Sequence, residues 1–414
     1  MSFDVGDYYL SQPISTAFLT GFTITGQHGG VNGRSSRLPG GTNIRCGTSF
    51  AASGGGAVFD VLDGSCNLEI TGLAVVGDVN MPANVDGIAC HRNVNALHVE
   101  EVSIAFATGH GIAWFQGADG VDGDACKLRT VMIQNAGLNA VHRWPPDSTL
   151  IDVHTQYAGT LALGHGFFST PGSGGNSSLI GCRADLSSGC GYLLDHNGAF
   201  CDAIKLTGCS TERNAQSGCL ITNTSATGND YRVPINISGC CFEGDGWGTG
   251  SGGEFAGIQV QGRNRVHISG TQVMCNNIDL ANVCPKYALL LNQAGSAAAQ
   301  AEIVEWASGY LNFSLGQSGE AIHNPSLVNS LKIGPTVTQG GGYQTSTSNE
   351  RSGTVTTSGL VATVNNPWVR ATSRILLTGK NATSPGSLFV TSQATGTFSI
   401  KAGTADCTVY WQII

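Results

Sequence analysis

Apolar residues return along this chain in short runs, each introduced by a small residue: GIAC at Gly87, GIAW at Gly111, AVHR at Ala140, GFFS at Gly166, GYLL at Gly191, GCLI at Gly218 and GIQV at Gly257. Their second residues, Ile88, Ile112, Val141, Phe167, Tyr192, Cys219 and Ile258, are spaced by 24, 29, 26, 25, 27 and 39 positions. Between them runs a second strand-like segment anchored at Leu97, Leu128, Leu150, Leu179, Leu206, Ile237 and Ile268. An imperfect period of this length marks a solenoid. Leucine-rich, ankyrin and tetratricopeptide signatures are absent and strand formers dominate. The pattern therefore predicts an all-β parallel β-helix over residues 1–338, its coils stacked at about 4.8 Å, with insertions confined to the corners.

Aligning the second segment on its anchors makes its columns readable. Three positions on stand Val131, Val153, Cys182, Cys209, Cys240 and Thr271; five on stand Val102, Ile133, Thr155, Ala184, Thr211, Phe242 and Val273. Both columns are apolar or small and point inward, so the cysteines read as a packed ladder. Positions four and six then face outward together. Position six reads Ser103, Gln134, Gln156, Asp185, Glu212, Glu243 and Met274; position four reads Glu101, Met132, His154, Arg183, Ser210, Cys241 and Gln272.

Three carboxylates thus stack on consecutive coils in a chain with only 12% charged residues. Like charges at strand spacing repel, and neutral residues could have filled the positions. A solvated acidic stripe and a calcium site are two readings of this column. Catalysis is the third. Adjacent coils give the roughly 5 Å separation of retaining glycosidases, and coils two apart approach the upper end of the inverting range, about 9.5 Å. Crowding would raise one carboxyl to serve as general acid while another stays ionised. Asp185, Glu212 and Glu243 are the candidate catalytic residues, with the pairing open. His154, Gln156 and Arg183 beside them are candidate substrate contacts. From Glu243 to Ile258 runs a longer connection, GDGWGTGSGGEFAG, whose Trp247 could stack on a sugar face. Trp144 in HRWPP is a weaker candidate of the same kind.

Composition narrows the class. The 414 residues include 59 Gly, and the formal net charge of −8 comes without a basic run, which speaks against nucleic acid as a partner. No apolar stretch reaches the roughly 18 residues of a membrane span. The leading MSFDVGDYYLSQPIST lacks the basic and apolar regions of a signal peptide. The 14 cysteines form no CxxC or zinc-type cluster, and their inward columns predict free, buried thiols. No cofactor or metal is called for.

Two further features concern assembly. Outward positions of the GI strand, Ala113, Phe115, Phe168, Leu193 and Leu220, form an apolar stripe that three parallel helices could bury about one axis. Past residue 338 the coils fade. Residues 339–353 read as a linker, and the alternating runs of 354–414, separated by turns at NNP, KNATSPG and KAGTAD, predict a small antiparallel β-sandwich.

The chain resembles the pectate-lyase-like right-handed β-helix superfamily, in particular bacteriophage tail spikes and capsule depolymerases. The resemblance rests on GDYYLSQPI, on the coils LEITGLAVVGD, IKLTGCSTERNAQSGCLI and INISGCCFEGD, and on the closing SRILLTGKNATSPGSLFVTSQATGTFSIKAGTADCTVYWQII. It implies a right-handed helix in a homotrimer, located on a virion tail or otherwise extracellular. The implied activity is cleavage of a bacterial surface polysaccharide by paired Asp/Glu, without metal, here Asp185, Glu212 and Glu243. The helix begins almost at Met1, so a virion-attachment region is expected to be missing or trimmed. The metal-dependent lyase pattern is not clearly matched. Inulin fructotransferases share the trimeric helix and paired acids, and a non-catalytic receptor-binding protein could use the same scaffold.

Overall fold

The computed structural model describes residues 1–27, 41–50, 56–78, 80–91, 93–115, 123–170, 173–196, 203–223, 233–246, 255–262, 264–274, 285, 287–292, 303–312, 322–323, 331–340, 352–358, 361–365, 369, 371–379, 388–395, 397–403 and 407–413. Every regular element among them is a β-strand. The chain divides into two compact units, Met1–Gly342 and Tyr343–Ile414. Most of the expected linker lies outside the described residues.

The first unit is a parallel β-helix, as the periodicity predicts. A typical coil contributes Ser177–Ile180, Arg183–Asp185 and Tyr192–Asp195, and the next contributes Ile204–Thr207, Ser210–Glu212 and Cys219–Asn223. The first two segments of each coil join a nineteen-stranded parallel sheet, and the third joins an eleven-stranded one. Between the first two segments the chain bends through one left-handed residue. It is Thr130 and Asp152 in early coils, then Gly181, Gly208, Gly239 and Gly270 (φ 57–62° for these glycines). Glycine removes the cost of that backbone region, so a regular glycine column marks the corner.

The GI strands stack in the predicted register, Ile88 to Ile112 to Val141 to Phe167 to Tyr192 to Cys219 to Ile258. Leu179, Cys182, Ala184, Tyr192 and Leu194 all point into the bore and are fully buried. The Phe167 and Tyr192 rings stack at 4.8 Å, and the Tyr192 hydroxyl donates to the Cys182 carbonyl at 2.8 Å. The eleven described cysteines are free thiols.

One register is corrected. Val99, not Leu97, pairs with Leu128, so the neighbour of Gln134 is Ala105, while Ser103 pairs with Met132. The outward stripe on the GI strands also differs in detail. Ala113 is fully buried, and His142 stands between it and Phe168.

The second unit contains two three-stranded antiparallel sheets. Phe398 and Trp411 meet edge to face at 5.5 Å in its core, with Val409 and Ile400. This is the small sandwich expected from the alternation.

Candidate functional site

The outward column forms in register. Gln134, Gln156, Asp185, Glu212, Glu243 and Met274 are successive cross-strand neighbours, and so are Met132, His154, Arg183, Ser210, Cys241 and Gln272. Immediately after the first column each coil turns through a left-handed residue: Phe106, Asn135, Tyr157, Leu186, Arg213 and Gly244. The repeated corner aims the column's side chains along one line.

The members differ in their surroundings. Asp185 is nearly sealed, with its side chain 4% exposed; its Oδ2 lies 2.8 Å from His154 Nε2 and 2.7 Å from Arg183 Nε. Its Oδ1 is buried without a hydrogen-bond partner among the described residues. The same Arg183 reaches Glu212 Oε2 through Nη2, while Arg213 Nε lies 3.3 Å from Glu212 Oε1. Two guanidinium groups therefore offset the repulsion that the stacked carboxylates create. Glu243 is half-buried and has no ion-pair partner among the described residues. Burial, then the Glu212 charge, push its pKa up, with Arg183 and Arg213 pulling part of the way back.

Gln134 donates through Nε2 to Gln156 Oε1 at 3.0 Å, extending the polar line. A cavity of about 360 Å³ lies over this surface, lined by Gln134, Gln156, Tyr157, Arg183, Asp185, Leu186, Glu212 and Arg213. Glu243 stands one coil beyond it. His154, Gln156, Arg183, Asp185, Glu212 and Glu243 are thus one contiguous surface. Tyr157 and Arg213, which lie at the corner positions, were missed because turn residues carry no column signal. Trp247 lies outside the described residues. Trp144 is a core residue, fully buried, and not part of a groove edge.

Among the described residues, the one group of metal-type side chains within reach of a single ion is Glu69, His98 and Glu100, away from this column. There Arg129 Nη1 lies 3.0 Å from Glu100 and His98 3.1 Å from the same carboxylate, an internally paired cluster.

Solved proteins share this architecture, and two illustrate it. The A-module of mannuronan C-5 epimerase AlgE6 from Azotobacter vinelandii is 12% identical over 82% of this chain and 91% of its own, with a TM-score of 0.50. A mutant tailspike protein of E. coli bacteriophage HK620, in complex with a pentasaccharide, is 10% identical over 100% of this chain and 87% of its own, also with a TM-score of 0.50. At these identities the likeness is one of fold. The chain is a parallel β-helix protein with the fold of this epimerase module and this tailspike. No protein-family model matches the sequence. No curated protein matches it either.

Proposed function

We propose that the protein is a tailspike-type depolymerase that cleaves a bacterial surface polysaccharide by glycoside hydrolysis, with Glu212 and Glu243 as the reacting pair. One observation carries the reading. Two carboxylates one coil apart sit in opposite environments, Glu212 gripped by two arginines and Glu243 half-buried, without an ion-pair partner among the described residues, and pushed up. Environments that separate two carboxyl pKa values divide the roles of acid and base. Adjacent strands also match the roughly 5–5.5 Å of retaining enzymes. In this scheme Glu243 protonates the leaving glycosidic oxygen as Glu212 bonds to the anomeric carbon. Water, deprotonated by Glu243, then releases the sugar from Glu212.

A polymer lying along the stacked strands would meet Gln134, Gln156, Tyr157, His154 and Arg183 in succession. The HK620 tailspike, of the same fold, holds a pentasaccharide. The homotrimer and the virion-tail location belong to this reading, with the half-buried Phe115, Phe168, Leu193 and Leu220 as the surface that copies would share.

One observation favours a lyase instead. His154 is oriented by Asp185 beside Arg183, an arrangement suited to removing a proton from a sugar ring carbon. The test is to incubate the parent, Glu212→Gln and Glu243→Gln with a panel of surface polysaccharides and inulin. New reducing ends lost in both variants support hydrolysis. Ultraviolet-absorbing unsaturated products support the lyase. Cyclic disaccharide from inulin without reducing ends identifies a fructotransferase, and binding without products identifies a receptor-binding protein.

A further inference from the structure

Two residues past the carboxylate column the chain has turned inward, and the side chains there form one interior row: Ala107, Ala136, Ala158, Ser187, Asn214 and Asp245, all buried. Main-chain bonds between coils confirm the stacking, as from the residue after each member to the carbonyl of the previous one: Ser188 N–H to Ala158, Ala215 N–H to Ser187 and Gly246 N–H to Asn214, each 2.8–2.9 Å. The row changes chemistry where the surface does. Beneath Ala105, Gln134 and Gln156 it is alanine. Beneath Asp185, Glu212 and Glu243 it is serine, asparagine and aspartate.

Asn214 and Asp245 are bonded to each other and to the coil before them. Asp245 Oδ1 accepts the Asn214 main-chain N–H at 3.1 Å and its Nδ2 at 2.9 Å, and Asp245 Oδ2 accepts the Thr211 hydroxyl. Asn214 continues one coil further. Its Nδ2 donates to the Ala184 carbonyl at 2.9 Å, and its Oδ1 accepts the Ser187 N–H at 2.9 Å. Asp185 and Glu212 are therefore each grasped through the residue before and the residue two after, and Glu243 through Asp245. Thr211 and Asn214 flank Glu212 as Ala184 and Ser187 flank Asp185, and Asp245 itself follows Glu243. Arg213, whose guanidinium returns to Glu212, is the corner residue held between Glu212 and Asn214.

A sealed carboxyl group costs free energy even when well bonded. Alanine fills the same position three coils running without that cost, so coil formation does not require Asp245. We propose that Asn214 and Asp245 are positioning residues that fix the placement of Glu212 and Glu243 by tying their corners together from inside; this rests on the reading of those two as the reacting pair. Neither touches substrate. Their effect passes through the two corner turns and through Arg213.

The test compares Asp245→Asn, which can keep an acceptor toward Asn214 and a partner for Thr211, with Asp245→Ala, which keeps neither. Protein labelled with 13C in its glutamate side chains is titrated by NMR, with Glu212→Gln and Glu243→Gln assigning the two signals. Cys126→Ala, a buried change in a distant coil, serves as a control for general destabilisation. In Asp245→Ala the Glu243 midpoint is expected to fall toward that of an ordinary glutamate, as the loosened corner hydrates. Asp245→Asn is expected to hold it near the parent, and Cys126→Ala to leave it alone. On a polysaccharide that the parent cleaves, Asp245→Ala should lose about 10- to 100-fold in kcat with little change in KM.

Unchanged glutamate midpoints in Asp245→Ala, with only a lower Tm, overturn the proposal and leave Asp245 a structural residue. If the parent cleaves nothing, the hydrolase reading falls while the titration still decides the positioning. If Asp245→Ala does not fold, Asn214→Ser replaces it in the same titration, with the same expected fall in the Glu243 midpoint. An unchanged midpoint there is equally fatal.

Discussion

Arg183 bridges two carboxylates on successive coils, with its Nε 2.7 Å from Asp185 Oδ2 and its Nη2 on Glu212 Oε2. Because the Asp185 side chain is almost sealed, this cation, with His154, offsets its charge. Replacing it with methionine leaves a buried carboxylate with His154 as its one remaining ion-pair partner among the described residues. Arg183→Met is expected to cost about 1–3 kcal/mol, the scale of a lost hydrogen bond to a charged group, readable as a lower urea midpoint. Arg183→Lys should recover only part, since an ammonium does not reproduce the planar fork.

Glu243→Gln and Glu212→Gln are each expected to lower polysaccharide cleavage by about 100-fold or more, the scale of a lost acid or nucleophile. The pH profile adds a finer check. Glu243 is pushed up by burial and by Glu212, and pulled down by Arg183 and Arg213. Arg213→Met removes one downward influence, so the Glu243 pKa should rise. If Glu243 acts protonated, the alkaline limb of kcat then moves to higher pH. A limb that stays or moves down contradicts its role as the acid.

Much of the site was legible because a parallel β-helix converts sequence spacing directly into stacking, as for Asp185, Glu212 and Glu243. The slip at Ser103 has a physical cause. Leu97 and Val99 are two residues apart, and a shift of two leaves every side chain on the same face, so alternation does not choose between them. Asn214 and Asp245 escaped notice because polar residues at a corner read as exposed turn, whereas the left-handed residue before each one swings them inward. Trp144 failed for the converse reason. A tryptophan beside Arg143 and Pro145 looks superficial, yet the bend after Val141 buries it.

Three histidines on the turn and third-strand side make a pH prediction. Burial holds His110 and His165 down to about 4, and burial with neighbouring positive charges holds His142 down to about 2, against an ordinary 6.5. Each uses Nδ1 to accept a bond, from Asn139 N–H (3.1 Å), Cys190 N–H (2.9 Å) and Asn139 Nδ2 (2.9 Å) respectively, so protonation there also removes a bond. A folded pKa below the unfolded one gives stability that is full above pH 6.5 and is lost as pH falls toward 4. Tm should therefore drop across that interval. His142→Phe, which keeps the stacking, should flatten the drop, and an equally steep profile in the variant would contradict the assignment.

Asp86 and Asp245 carry the opposite sign. Burial raises each to about 7 from an ordinary 3.8. A carboxyl whose folded pKa lies above its unfolded value contributes a penalty that grows as pH climbs from about 4 to about 7 and is constant above. Asp245→Asn removes that penalty at one site. The Tm of the variant, measured against the parent, should improve steadily between pH 4 and 7 and then level off, whatever its offset at pH 4. A difference independent of pH would mean that Asp245 is equally charged in the folded and unfolded chain across this range.

The cysteine ladder gives a last test. The thiols of Cys182, Cys209 and Cys240 are buried and point to the carbonyls of Leu150, Leu179 and Leu206 at 3.3, 3.3 and 3.5 Å. Burial pushes those of Cys46, Cys126 and Cys190 up to about 12, which denies them the thiolate form. Among the described cysteines only Cys66 and Cys241 are half-buried. Brief alkylation of the native protein, mapped by mass spectrometry, should label these two ahead of the ladder, whose labelling should require denaturant. Cys209→Ala should cost about 1–2 kcal/mol as a cavity in the bore, without exposing its neighbours. Native labelling of Cys209 at the rate of Cys66 would mean that the coils open at this level, and that the carboxylates they carry are not held in fixed register.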